Sequence, residues 1–249
     1  MNGSKLFSME LTIYLAIISY FILGAIAFYF IGRKKSNTAK KRIWAKYFTY
    51  FFIIHTIFIA IYLGFPYFVI LATAISLIGL AELIGVFRNA GQKRRYGFFI
   101  PAVMLYLAVV IPFILFSTSE KPVLYFAFVV VSVFDAFSQI SGQLFGKRKL
   151  IPSISPNKTT GGLVGGALLA IVTGGLVGGL LGINIWQALL FAAIIVIFAF
   201  WGDLLASFYK RKFDVKDFGK LLPGHGGFLD RFDSLIPGGA AMYLLNHFI

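Results

Sequence analysis

The chain is a succession of long apolar runs separated by short polar links. A helix that crosses a bilayer needs roughly 20 consecutive, mostly apolar residues. Runs of about that length, two of them shorter, fall at residues 11–32, 47–63, 66–87, 98–116, 122–141, 161–182, 185–206 and 234–248. The pattern predicts an all-α integral membrane protein: a bundle of about eight transmembrane helices forming a single polytopic membrane domain over residues 1–249. The first run carries only Lys5 as a basic flank and lacks a small-residue cleavage site, so it reads as a retained helix rather than a signal peptide. Alternate links are minimal, at residues 64–66, 117–121 and 182–184, whereas the intervening loops are longer and polar. The chemistry is therefore expected on the longer-loop side.

Composition supports the membrane reading. Hydrophobic residues make up 59% and charged residues 13% of the chain, about half the charged share of a soluble domain. With no cysteine, disulfides and thiolate metal sites are excluded. A net charge of +14 in a soluble chain would suggest nucleic acid, but its distribution here says otherwise. Of the 23 Lys and Arg residues, 21 lie in four loops, at 33–46, 88–95, 147–158 and 210–231. With eight spans all four loops share one side, which the positive-inside rule makes cytoplasmic, with both termini outside. Residues 33–46 read as a basic interfacial helix with Trp44 and Tyr47 near the headgroups. Span six repeats Gly-Gly-Leu-Val-Gly-Gly at 161–166 and 174–179, small-residue spacing that lets helix backbones approach closely. Gly161 and Gly162, at the start of that helix, could also cradle a phosphate.

Acidic residues within or beside spans are costly in lipid and default to functional candidates. Glu82, Asp135 and Asp203 qualify. Glu82 is as compatible with a buried ion pair or interhelical hydrogen bond as with function. Asp135 is followed by Ser138, Gln139 and Ser141, a polar face that must look into the bundle or a water-filled cavity. Asp203, Ser207 and Lys210 or Arg211 share one helix face, a carboxylate with cations further out that suits a metal-bound polyphosphate. Asp230 and Asp233, three apart, could supply a second carboxylate, although Asp233 could equally cap the last helix. His225 stands between glycines, and the three histidines are too scattered for zinc. No Ser-His-Asp arrangement or phosphate-binding Walker loop is present. The residues alone thus point to a membrane-embedded, metal-dependent phosphate site facing the cytoplasm.

Residues 207–233, with Ser207, Lys210-Arg211, Lys216-Asp217, Gly219, Leu222-Pro223, His225-Gly226-Gly227, Asp230-Arg231 and Asp233, resemble the signature of the phosphatidate cytidylyltransferase (CDP-diacylglycerol synthase) family. Gly202-Asp203 ahead of it, and a second block with Phe145-Gly146-Lys147 and Ser155-Pro156-Asn157-Lys158-Thr159, are similar to the same family. This chain departs from the pattern at Tyr209, at Thr160-Gly161 where the family usually has Trp and an acidic or amide residue, and at Ser138-Gln139 where it commonly has Ala-Tyr. The resemblance covers roughly 135–233, the expected catalytic region.

The resemblance implies transfer of a cytidylyl group from CTP to phosphatidate, giving CDP-diacylglycerol and pyrophosphate in phospholipid biosynthesis, with Mg²⁺ and potentially a second cation. It assigns the metal to Asp203 and Asp230, assisted by Asp233 or Asp217. It gives Lys210, Arg211 and Lys216 the triphosphate, and Ser155 and Lys158 a phosphate contact from the opposing loop. His225, Gly226 and Gly227 would shape the nucleotide pocket, Asp135 would line the headgroup cavity, and Ser207 and Arg231 would bind substrate. The lack of a recognisable targeting segment suggests a prokaryotic plasma (inner) membrane location, and the small-residue faces of span six suit a homodimer as well as packing within one bundle. A CTP-dependent polyprenol or lipid kinase, a divergent paralogue acting on another lipid phosphate, and an ion-binding transporter remain open at this stage.

Overall fold

The protein is described from a computed structural model covering residues 3–33, 36–91, 95–219 and 226–248. Its helices are α1 (Gly3–Arg33), α2 (Asn37–Leu63), α3 (Tyr67–Asn89), α4 (Tyr96–Phe116), α5 (Lys121–Phe145), α6 (Thr160–Val177), α7 (Ile185–Lys212) and α8 (Leu235–Leu245). A hairpin of β1 (Lys149–Ile151) and β2 (Ser155–Thr159) joins α5 to α6. Among the described residues, the first seven helices contain segments long and apolar enough to cross a membrane.

The eighth apolar run has a different fate. α8 has 11 residues, a rise of about 17 Å, little more than half of a hydrocarbon core of about 30 Å. Its Leu235, Ile236, Gly238, Gly239, Ala240, Ala241 and Met242 are all buried. Glycine makes this inner position accessible: a Cβ on Gly239 would lie 2.8 Å from the Phe113 ring of α4, and one on Gly238 would lie 2.6 Å from Val131 of α5. Hydropathy alone does not separate a lipid-exposed span from a short helix surrounded by protein.

The basic linker also differs from expectation. It is no separate interfacial helix: α2 begins at Asn37 and runs through Trp44 and Tyr47 into its span without a break. The segment after α5 folds as an antiparallel hairpin, with Lys149 opposite Thr159 and Ile151 opposite Ser155. β2 leads straight into α6, where the Thr159 side chain accepts the Gly162 N–H at 3.1 Å and satisfies one orphan donor of the helix start.

The glycines of α6 are contact points, as the small-residue spacing predicts. A Cβ on Gly162 would lie 2.7 Å from the Ser138 carbonyl of α5, and one on Gly166 would lie 2.9 Å from the Phe134 carbonyl. Gly174 and Gly178 meet Ala192 and Ala188 of α7, and Gly175 meets Leu189. Gly179 packs against nothing and lies in a 3₁₀ turn (Gly178–Leu181) that ends the helix. α5, α6 and α7 therefore form one tightly packed layer beneath the hairpin. At the opposite end, buried Glu10 of α1 accepts from Lys121 at 3.2 Å and is approached by Tyr125, clasping α1 to α5.

Candidate active site

Asp203 lies on the last turns of α7, where the helix leaves its apolar segment. Its carboxylate is about one-third exposed and receives Lys158 Nζ of β2 at 2.8 Å. Ser207, one turn on, donates to its other oxygen at 3.4 Å. Lys158 is steadied further by the Phe200 ring, 4.8 Å from its nitrogen. The hairpin thus brings a cation to the α7 carboxylate.

Lys210, two turns beyond Asp203, is buried and pairs with Asp230. The other Asp230 oxygen accepts the backbone N–H groups of Phe218 and Gly227, each at 2.9 Å. Both oxygens of this carboxylate are therefore committed to holding the loop. Arg211 is a strut: Nε donates to the Ile154 carbonyl at the hairpin tip and a terminal nitrogen donates to the Val215 carbonyl, both at 3.1 Å. Lys216 and Asp217 are exposed. Gly226, at φ +82°, lies against Asp217, where a Cβ would come within 2.7 Å of the carboxyl. His225 lies outside the described residues.

Asp135 of α5, Asp203 of α7 and Asp233 of the turn before α8 influence one another electrostatically, so two helices and a turn direct acids toward one region. The Asp135 side chain is exposed on α5. Among the described residues, no three His, Asp or Glu side chains form a metal-holding group. The four acids assigned to a metal above are accordingly dispersed: Asp203 and Asp233 neighbour one another, Asp230 holds the loop, and Asp217 lies under Gly226.

Burial first, and then the Asp203 charge, hold the Asp233 carboxyl well above the usual carboxylate range. An acid whose folded pKa exceeds its unfolded value of about 3.9 binds its proton more tightly when folded, so its contribution to stability falls as pH rises from there toward the raised value. Metal-free protein should melt at a lower temperature at pH 8 than at pH 5, and Asp233→Asn should shrink that difference. Thermal melting in detergent with chelator measures it; an undiminished difference in the variant would contradict the assignment.

Residues 102–249 match the cytidylyltransferase family. The chain belongs to that family. Relatives carrying the name phosphatidate cytidylyltransferase include one from Staphylococcus haemolyticus, 42% identical over 152 residues, covering 58% of this chain and 58% of the relative. One from Staphylococcus epidermidis is 48% identical over 113 residues, covering 45% and 44%. One from Staphylococcus aureus is 38% identical over 152 residues, covering 58% and 58%. The matched stretch thus spans about half the length of these curated relatives.

The cytidylyltransferase match begins at residue 102, and two contributors to the site lie before it. Glu82 of α3 is buried and accepts the backbone N–H groups of Phe228 and Leu229, at 2.8 and 2.7 Å. A Cβ on Gly219 would lie 2.6 Å from this carboxylate, and one on Gly227 2.8 Å. The glycines of the signature therefore let the loop close around Glu82. Tyr50 of α2 accepts from Arg231 at 2.9 Å, with the guanidinium 5.6 Å from its ring centroid. The intramembrane position of Glu82 marks it in sequence as an ion-pair, hydrogen-bond or functional candidate; nothing in sequence singles out Tyr50.

Proposed function

We propose that this protein transfers a cytidylyl group from CTP to phosphatidate, releasing pyrophosphate and forming CDP-diacylglycerol at the cytoplasmic side of a bacterial plasma membrane. The observation that carries this reading is the meeting of Lys158 with Asp203 beside the glycine loop, within a chain of the cytidylyltransferase family. In the reaction a lipid-phosphate oxygen bonds to the α-phosphorus of CTP while the bond from that phosphorus to the bridging oxygen breaks. The nucleophile is already anionic, so positioning and charge neutralisation suffice and no general base is needed.

The residues fit a hard divalent cation such as Mg²⁺. Asp203 offers a partly exposed carboxylate, and Asp233 is crowded by like charge that a cation would relieve. Mg²⁺ is commonly held by one or two carboxylates together with substrate phosphates and water, which suits a site with two adjacent acids. Asp203 and Asp233 would hold it, and the ion would neutralise charge on the transferring phosphate. Lys158 would leave Asp203 for the CTP phosphates as the cation arrives. Ser207 orients Asp203, and Asp135 lines the cavity that admits the headgroup. Lys210 and Asp230 keep residues 218 and 227 in register, with Gly226 and Gly227 giving backbone access to the nucleotide, while Arg211 holds the hairpin. Ser155 and exposed Lys216 remain available to the phosphates.

Purified protein in detergent micelles with Mg²⁺, phosphatidate and CTP labelled at the α-phosphorus tests the reading. Label entering the lipid, with stoichiometric pyrophosphate, is expected. Transfer from γ-labelled CTP to a lipid alcohol, with CDP released, would overturn it in favour of a kinase.

A further inference from the structure

α4 and α7 both pack against α8, and between them, over the first turn of α8, lies a cavity of about 260 Å³. Aromatic rings close its loop end: Phe98 of α4 meets Phe208 of α7 edge-on at 5.7 Å between centroids and stacks on Tyr209 at 5.8 Å. Its rim carries Leu105 of α4 and Leu205 of α7, 49% and 43% exposed, within segments apolar enough to cross a membrane. Asp233 of the candidate site also lines it. Among the described lining residues, the other polar side chains are Tyr106 and Tyr209. Both hydroxyls are already engaged, donating to the Ser76 and Leu83 carbonyls at 2.8 and 2.9 Å. A molecule in this cavity therefore meets hydrocarbon everywhere except at one carboxyl. Nothing there recognises a nucleotide; a hydrocarbon chain attached to a phosphate matches it.

Resting on the function proposed above, we propose that this cavity seats one acyl chain of the lipid substrate, which passes from the phosphate beside Asp233 to the bilayer between Leu105 and Leu205. Its volume falls below the roughly 300–1,000 Å³ of pockets that enclose whole drug-sized ligands. It takes one chain and leaves the second in the bilayer. Lipid tails are as apolar as these side chains, so moving a chain from one to the other contributes little affinity. The seat instead fixes the orientation in which the phosphate meets its partner, where small displacements are costly. Discrimination among acyl chains then follows from shape, because packed interiors accommodate added volume poorly. Ala102 of α4 and Ala206 of α7 line the cavity from its two sides and leave the room the chain fills. They are the positions that determine acyl-chain specificity.

The test uses the full chain in detergent micelles and a phosphatidate carrying a photoreactive diazirine within one acyl chain. Irradiation should attach the lipid to peptides from residues 98–109 and 202–209. Excess dioleoyl phosphatidate should suppress that labelling, and dioleoyl phosphatidylcholine should not. Ala102→Phe should lose most of the labelling and raise the KM for dioleoyl phosphatidate about tenfold, the scale of crowding an occupied apolar site. Its KM for CTP and its melting temperature should stay at wild-type values. Labelling confined to other helices, labelling that phosphatidylcholine suppresses equally, or an unchanged lipid KM in Ala102→Phe would each overturn the assignment. If that variant melts early, the wild-type labelling pattern alone decides. Wild-type protein labelled at α4 and α7 that forms no CDP-lipid would overturn the proposed function and leave the chain seat. Cytidylyl transfer with labelling elsewhere would overturn this assignment alone.

Discussion

Replacing Asp203 by asparagine should lower kcat for cytidylyl transfer by about a thousandfold, the scale seen when a preorganised charge is removed from a reacting centre. The substitution keeps the side chain's shape. Lys158, its partner, is 21% exposed and can turn to water, so the fold should be little affected. What is lost is a negative charge that the buried pair Lys210–Asp230 cannot replace, because both Asp230 oxygens are already engaged. Initial rates alongside melting temperature separate the two effects. A variant within tenfold of wild type would move the metal and the chemistry away from α7.

Glu82→Ala should damage both stability and rate. Removal of the carboxylate strands two backbone N–H groups, at Phe228 and Leu229, within the protein. Each unsatisfied buried donor costs about 1–3 kcal/mol. The same loop carries Asp230, Arg231 and Asp233, and a displacement of about 1 Å at a reacting centre can cost a hundredfold in rate. We expect a clear drop in melting temperature and about a hundredfold loss of activity, with Glu82→Gln between alanine and wild type because an amide oxygen can still accept. Wild-type melting and rate in the alanine variant would show that the loop holds its shape without α3.

The span pattern was legible because lipid imposes one constraint everywhere: backbone groups must be satisfied within each segment, so apolar length reports helices directly. That logic fails for α8. Residues 234–248 are as apolar as a span, yet Gly238 and Gly239 let the helix sink between α4 and α5. That the two polar blocks share one side was legible in sequence, but the direct pairing of Lys158 with Asp203 was not. The place of Asp230 was not, since in sequence it differs little from Asp233. What separates them is the demand of the Phe218 and Gly227 N–H groups, which exists only once the loop has closed. Glu82 lies 146 residues before Phe228, beyond any local signal, and Arg211 reads as a substrate cation until the hairpin tip comes within its reach.

Glu82 and Tyr50 both precede residue 102, where the family match begins. The matched segment is consequently not a portable module. Expressed alone, or fused behind foreign N-terminal helices, residues 102–249 would have the charged groups of the site but not the Glu82 carboxylate on which the loop is hung or the Tyr50 hydroxyl that accepts from Arg231. Chimeras between family members should work only where the donor's third helix brings an acid to the same loop. In this protein the leading part, before the family match, and the signature-bearing trailing part must be exchanged together.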